Sequence, residues 1–244
     1  MVSLIVTKLK KSYLWAANLS KKTTLIAKEL ISYYIPAVSF DASGDDALSI
    51  MEEHKLSHIP LVKNNNYQGI LSENTVLEFD DPSLTIAENK PNLMRPFVNV
   101  YSHIFDIIKI LAEFKLSCIP VLDDNEEYLG LITIQDMAFQ FAKITNAVEP
   151  GGVLVLGVNI RDYSLSQAAQ IVESDNAKIL SSYLSATTDT TELDLILKIN
   201  KSDLTAIIKS FERFNYKIKA SFHESSYDDD LRDKFNQFMR YLNM

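Results

Sequence analysis

The stretch Gly130-Leu-Ile-Thr133-Ile-Gln-Asp136 holds the residue types best suited to binding chemistry. The pattern predicts a strand that ends at Ile132 and a helix whose first-turn N–H groups face a cleft, where they suit an anion. Thr133 can cap that helix or hydrogen-bond a phosphate or a sugar hydroxyl. Asp136 can accept hydrogen bonds from two ribose hydroxyls. The alternative interpretation is a plain capping box, a threonine followed three residues later by an acid.

A second copy of this stretch, Gly69-Ile-Leu-Ser72-Glu-Asn-Thr75, lies 61 residues upstream. Thr75 stands in the place of Asp136, and a single hydroxyl cannot hold two ribose hydroxyls as a carboxylate does. We therefore expect at most one good site of this kind per chain.

The two stretches belong to a longer internal repeat, because Lys55-Leu-Ser-His-Ile-Pro-Leu-Val62 returns as Lys115-Leu-Ser-Cys-Ile-Pro-Val-Leu122. Pro36 and Pro96 share this offset of 60. The repeat predicts two packed copies of one β-α-β-β-α unit within residues 26–147. A lead-in helix is expected over residues 26–35, and residues 78–95 are expected to form an irregular connector between the copies.

The repeat stops at Val148-Glu-Pro-Gly-Gly152, which strongly disfavours regular structure and marks a domain boundary. Between residues 153 and 222 the pattern predicts the order β-α-β-β-α-β, the ferredoxin-like arrangement. A C-terminal amphipathic helix is predicted from Leu231, Phe235, Phe238 and Leu242, which completes a domain over residues 148–244. The fold class is therefore mixed α/β (α+β).

Composition excludes several classes of protein. The net charge is −8 although residues 1–28 carry six lysines and no acid, and such an acidic body argues against nucleic acid as a partner. One cysteine, Cys118, excludes an internal disulfide framework and suits the cytoplasm. No apolar run is long enough for a membrane span. Residues 1–25 are interpreted as a loosely attached extension, with a lysine-rich helix on anionic lipid as the alternative.

The paired Ser-x-Ile-Pro strands and the Gly130-Leu-Ile-Thr133 and Gly69-Ile-Leu-Ser72 segments resemble a tandem of CBS domains over about 120 residues. The resemblance implies an adenosine-containing ligand such as AMP, ADP or ATP, with Thr133 and Asp136 in the ribose-contacting Thr-x-x-Asp pattern. It also implies further nucleotide-binding residues, whose alternative role is ordinary core or surface: Ser72, the adenine-slot residues Val98, Ile119 and Pro120, and the phosphate contacts Arg95 and His58.

Residues 153–223 resemble an ACT domain, and the order of the two halves resembles small regulatory proteins of the acetoin-utilisation type. ACT domains generally dimerise and often bind amino acids, here through the loop that holds Asp162, Tyr163 and Ser164. That loop lacks the Pro-Gly usual in amino-acid-binding members, so close backbone approach is harder. A capped turn with Ser164 or Asp162 at the cap is the alternative.

No catalytic or metal-binding constellation is predicted. His54 and His58 are four apart, but the helix should end near Leu56, so they do not share a face. We expect a non-enzymatic regulatory module that senses an adenine nucleotide and has no cofactor. It is expected to be a homodimer with an unassigned protein target. The alternative is a structural interaction protein that dimerises or docks without a nucleotide.

Overall fold

A computed structural model describes residues 25–161, 163–186 and 191–222. The predictions made for residues 1–24, Asp162 and the C-terminal helix lie outside the described residues. The chain separates into two compact units, Met1–Ala138 and Phe139–Met244. The mixed α/β fold class is confirmed, because the first unit holds the doubled β-α-β-β-α order and the second the β-α-β-β-α-β order.

The first unit contains the two repeats. In chain order its elements are helix α1 (Gly44–His54), strands β1 (His58–Lys63) and β2 (Asn66–Ser72), helices α2 (Glu73–Leu77) and α3 (Ile86–Asn89), strand β3 (Val98–Asn99), helix α4 (Ile104–Glu113), strands β4 (Cys118–Leu122) and β5 (Tyr128–Thr133), and the start of helix α5 (Ile134–Ile144).

Local sequence explains where helix α1 starts and ends. Ser43 accepts a hydrogen bond from the Asp46 N–H, and the Asp46 carboxylate returns to the Ser43 N–H, which completes a capping box. Ala47 and Met51 are buried one turn apart, as the apolar spacing predicts. The helix is followed by Lys55 in the left-handed region at φ 55°, and Lys115 repeats this conformation at φ 52° after helix α4.

The repeats form sheets of matching topology. Strand β1 pairs antiparallel with β2, and Val38 adds a parallel bridge to Leu61. In the second repeat β4 pairs antiparallel with β5, and Val98 pairs in parallel with Val121. The offset of 60 between these pairs shows that the sequence repeat is a structural repeat.

Each repeat also receives the segment that leads into the other. The Ser32 N–H donates to Leu131 O on strand β5 at 2.8 Å, and the Ile70 N–H on β2 donates to Met94 O at 2.9 Å. The prediction of a helix over residues 26–35 is therefore wrong. Only Ala27–Glu29 form one turn of 3₁₀ helix, because the segment's polar groups pair with the second repeat instead.

The connector over residues 78–95 is only partly irregular. Thr85 and Glu88 form a capping box, which starts the short helix α3 within it. Ile86, the first residue of that helix, is fully buried in the core of the first repeat. The connector thus contributes to packing.

The second unit has the predicted ferredoxin-like order. Its elements after α5 are strand β6 (Gly152–Asn159), helix α6 (Leu165–Ser174), strands β7 (Ile179–Ala186) and β8 (Glu192–Ile199), helix α7 (Thr205–Arg213) and strand β9 (Lys217–Phe222). The sheet is antiparallel in the order β7-β8-β6-β9.

The two faces of central strand β6 differ in burial. Leu154 and Leu156 are fully buried in the core that includes Phe211 of helix α7. Val153 and Val155, which alternate with them, are only half-buried. One face of this strand is therefore buried in the core, and the other is only partly covered.

Candidate functional site

Thr133 and Asp136 meet where strand β5 passes into helix α5. Thr133 Oγ1 accepts a hydrogen bond from the Asp136 N–H at 2.9 Å and donates to Asp136 Oδ2 at 2.7 Å. The Thr133 N–H also points at Oδ2, at 3.3 Å. This is the geometry of the capping box, so the capping interpretation describes the local structure.

A third residue, Ser32, reaches the same carboxylate from the lead-in segment. Its Oγ donates to Asp136 Oδ2 at 2.5 Å. Ser32 and Thr133 are two of the few buried polar side chains in the described residues, at 6% and 5% exposure. Sequence reasoning missed Ser32, because it lies 104 positions before Asp136 and no local motif marks it.

The hydrogen bonds of Asp136 are distributed unevenly over its carboxylate. Within the described residues, all the side-chain bonds it accepts reach Oδ2. A carboxylate has about four acceptor positions on its two oxygens. Oδ1 is therefore the oxygen that remains for a ligand, and the side chain is only partly buried.

The first turn of helix α5 is less open to an anion than the sequence predicts. The Ile134 N–H donates to Ser117 O at 2.9 Å, and the Asp136 N–H is taken by Thr133. Two of the first-turn donors are thus already used, which weakens a phosphate role for this helix end and leaves the carboxylate as its main binding group.

The matching position in the first repeat has no carboxylate. Ser72 Oγ accepts from the Thr75 N–H at 3.1 Å and lies 2.7 Å from Thr75 Oγ1. Met94 pairs with β2 here as Ser32 pairs with β5. Ser72 and Thr75 therefore offer two hydroxyls here, which are weaker acceptors than the carboxylate of the Asp136 site.

The three predicted adenine-slot residues lie in the sheet that ends at Thr133. Val98 and Ile119 are 3% and 0% exposed, and Pro120 is buried. Ile119 lies opposite Ile132, and Pro120 opposite Leu131, the partner of Ser32. All three are core residues of the sheet whose strand β5 ends at Thr133.

Arg95 does not reach this site. Its Nη2 binds Glu126 Oε2 at 2.9 Å, its Nε donates to Tyr67 O at 3.3 Å, and its guanidinium lies 5.7 Å from the ring centroids of Tyr67 and Phe97. Glu126 precedes strand β5 and Thr133 ends it, so a strand length of about 20 Å separates them. The expectation that Arg95 contacts the phosphate of a ligand at Thr133 does not agree with this placement.

His58 lies at the contact between the two repeats. Its Nδ1 is 3.3 Å from both the N–H and the Oγ of Ser117 and 3.2 Å from Ser57 Oγ. Because the Ser117 N–H donates to it, Nδ1 acts as an acceptor and the ring is neutral. Burial also lowers the pKa of His58. A neutral imidazole turned toward Ser117 is poorly suited to hold a phosphate.

Cys118 occupies the place of His58 in the second repeat. Its Sγ donates to His58 O at 3.2 Å, its side chain is fully buried, and burial raises its pKa to about 12. The thiol therefore stays protonated, which favours packing over nucleophilic chemistry.

In the second unit, the predicted amino-acid loop behaves as a capped turn. Ser164 Oγ accepts from the Gln167 N–H at 3.3 Å, and Tyr163 packs against the core. A cavity of about 260 Å³ nearby is lined by Gly157, Val158, Asn159, Gln167, Phe214, Asn215 and Tyr216, not by Tyr163 or Ser164. The geometry gives the predicted pair a structural role.

A larger cavity, of about 670 Å³, lies beside helices α1 and α2. Its lining residues are Leu48, Met51, Glu52, Lys55, Leu56, Ser57, Glu73, Leu77 and Ser117, none of them a predicted site residue. Among the described residues, no cluster of three or more His, Cys, Asp or Glu side chains is arranged to hold a metal ion. Within the same part of the chain, no helix is both long and apolar enough to cross a membrane.

Residues 27–81 and 92–143 each match the family model described as the CBS domain. The two copies of the internal repeat thus each match the CBS domain, in tandem.

The chain is 24% identical over 145 residues to the inosine-5'-monophosphate dehydrogenase of Korarchaeum cryptofilum, which covers 58% of this chain and 30% of that enzyme. The chain thus spans less than a third of this relative's length. A CBS domain pair/ACT domain protein from Thermotoga maritima is 18% identical with a TM-score of 0.44, over 48% of this chain and 97% of that one. CBSX2, in a structure with AMP, is 19% identical with a TM-score of 0.44, over 49% and 98%.

Proposed function

We propose that the CBS pair, over residues 26–147, senses an adenine nucleotide by binding its ribose at Asp136. The observation that carries this proposal is a partly buried carboxylate at the start of helix α5, whose bonds from Ser32 and Thr133 all reach Oδ2 and not Oδ1. A carboxylate held between a strand end and a helix start is a strong acceptor for a sugar diol. The CBS family match supports a nucleotide as the source of that diol.

The site favours ribose over phosphate as the group that is recognised here. Asp136 is an anion, and two of the helix N–H groups that could offset its repulsion of a phosphate already have partners. The nucleotide's phosphate would therefore lie away from Asp136. We propose one nucleotide per chain, because Ser72 and Thr75 offer the first repeat no carboxylate.

The module is proposed to be regulatory and not catalytic. Cys118 is buried with a raised pKa, and His58 Nδ1 accepts a backbone N–H, so neither is available as a nucleophile or a base. The same proposal includes a cytoplasmic location, a relationship to proteins of the acetoin-utilisation type and an unassigned protein target.

One observation favours the rival function, docking without a nucleotide. Thr133 and Asp136 make the two reciprocal hydrogen bonds of an ordinary capping box. If capping is the only role of Asp136, no nucleotide should stabilise the protein.

Thermal shift with AMP, ADP, ATP and S-adenosylmethionine tests the proposal. A ligand at 100 times its Kd stabilises by about 2.7 kcal/mol, which for a chain of this size raises Tm by roughly 5–11 °C. Asp136→Asn should remove that ligand-induced rise while keeping an acceptor for the Thr133 cap. Thr75→Ala, the matched change in the first repeat, should leave it intact. Equal losses from both variants, or no rise with any nucleotide, would favour docking.

We also propose a homodimer formed through the four-stranded sheet of the second unit. The register places Tyr183, Ile196, Val155 and Ala220 in one row across β7, β8, β6 and β9, on the face opposite Leu154 and Leu156. Tyr183 is 55% exposed, and edge strand β7 is mostly exposed. Unpaired edges and apolar sheet faces are surfaces that proteins usually cover.

A further inference from the structure

We infer that Ser32 occupies the acceptor position on Asp136 that a ribose hydroxyl takes, so nucleotide binding must displace it and free the lead-in segment. This inference rests on the proposed function, since it concerns the same carboxylate. Here the lead-in segment means residues 25–32, which run along the second repeat.

One oxygen of Asp136 already accepts several hydrogen bonds. Asp136 Oδ2 faces Ser32 Oγ at 2.5 Å, Thr133 Oγ1 at 2.7 Å and the Thr133 N–H at 3.3 Å. These three donors already fill the two lone pairs of Oδ2, so this oxygen has no room for a further donor. A ribose diol that bridges both carboxylate oxygens therefore needs one of these groups to leave Oδ2.

Ser32 is the group that can leave. Both Thr133 contacts belong to the capping box of helix α5, so breaking them would weaken the helix start. Ser32 belongs to a different segment, and its hydroxyl can turn away without disturbing the cap. In chemical terms its Oγ–H is a stand-in for a sugar hydroxyl.

The lead-in segment would respond because Ser32 is its last anchor. The Ala27 N–H donates to Ser102 O, the Lys28 N–H to Val100 O and the Ser32 N–H to Leu131 O, at 2.8–2.9 Å. Tyr33 and Tyr34, which follow directly, are 76% and 68% exposed. Loss of the Ser32 side-chain bond therefore leaves this end of the segment held by its backbone bond to Leu131, next to two exposed tyrosines.

The first repeat supports a specific role for this contact. There Thr75 replaces the carboxylate, and Met94 takes the pairing position of Ser32. A methionine cannot donate a hydrogen bond to a carboxylate. The Ser32 hydroxyl and the Asp136 carboxylate thus occur together in the second repeat, and the first repeat has neither group at the matching positions.

Calorimetric titration of the full chain with AMP tests the inference. A hydrogen bond to a charged group is worth about ten- to a hundredfold in an equilibrium constant. Ser32→Ala should therefore tighten AMP binding by at least about tenfold. Ser32→Thr, which keeps the hydroxyl, should bind like the wild type. Ser83→Ala is the matched control, because Ser83 Oγ makes a similar 2.6 Å bond to Asp81 on the exposed connector.

Hydrogen exchange gives a second readout that does not depend on affinity. With AMP bound to the wild type, the amide of Ser32 should exchange faster than in the free protein, because the segment end has been freed. Slower exchange of this amide overturns the inference. So does unchanged or weaker AMP binding by Ser32→Ala, and if the wild type binds AMP and Asp136→Asn does not, the proposed function still stands. If neither the wild type nor Ser32→Ala binds AMP, ADP or ATP, both fail together.

Discussion

Gly130→Ala should be among the most destabilising single-methyl changes in the first unit. The lead-in segment crosses strand β5 directly over this residue, so a Cβ at Gly130 would lie 2.4 Å from Ile31 Cγ2. Ordinary van der Waals contact begins near 3.4 Å. Gly130 also has φ +148°, which L side chains rarely adopt.

The two effects add, because one concerns packing and the other the backbone. Overpacking a tight contact costs about 1–3 kcal/mol, and a strained backbone conformation costs a similar amount. The middle of these ranges gives roughly 4 kcal/mol, which is a large share of a typical unfolding free energy. For a chain of this size that corresponds to a fall in Tm of roughly 8–16 °C.

Calorimetric melting of the full chain measures this loss, with two other glycines as controls. Gly69→Ala, at the matching repeat position, would place Cβ 2.7 Å from Leu93 Cβ without a positive φ, so its loss should be smaller. Gly157→Ala would place Cβ 2.9 Å from Lys219 Cε and 3.4 Å from Lys217 Cδ, and the end of a flexible lysine can move. A Gly130→Ala protein that melts within about 2 °C of the wild type would refute the reasoning.

Two further predictions concern other parts of the molecule. Burial lowers the pKa of His58, so its neutral form stabilises the fold fully above the ordinary histidine pKa of about 6.5. This stabilisation is lost as the pH falls through that value toward the lower folded pKa. His58→Gln should therefore flatten the fall in Tm between pH 7 and 5, and an unchanged slope would contradict the assignment. Light scattering should give the wild type a mass near twice its 27.6 kDa and Tyr183→Asp a mass near 27.6 kDa, whereas a variant that remains dimeric would place the interface elsewhere.

Much of the fold could be predicted because its signals are local or repeated. Ser43 and Asp46 specify the start of helix α1 within four residues, and the structure forms that capping box. The repeated Ser-x-Ile-Pro strands lie at matching places in two sheets of matching topology. In both cases the interacting groups are close in sequence or are copied at a fixed offset, so a pattern can report them.

The lead-in segment could not be predicted for the opposite reason. Residues 26–35 have the composition of a short helix ended by Pro36, and sequence gives no sign of their partner. Their backbone groups pair with Leu131, Val100 and Ser102, about 70–100 positions away in the chain. The interpretation failed because a long-range pairing outweighed a local propensity.

Separation in sequence also explains why Ser32 was not predicted as part of the candidate site. Thr133 and Asp136 form a recognisable motif, but Ser32 comes from the lead-in segment, and Arg95, which looked suitable by charge, is held by Glu126 about a strand length away. Charge and type select candidates, whereas the path of the chain decides which of them meet.

The differences between the repeats converge on one place, which is the strongest argument that the second repeat is specialised. The two repeats share strand register, paired proline positions and the left-handed lysines that follow their helices. They diverge at Asp136 against Thr75 and at Ser32 against Met94, and in the second repeat a hydrogen bond joins the Ser32 and Asp136 side chains. A cap needs only one hydroxyl or carboxylate at the helix start, and Ser72 with Thr75 already provides one. Helix capping alone therefore gives no reason for a buried serine to be directed at a carboxylate in one copy, whereas a site that exchanges one hydroxyl for another does.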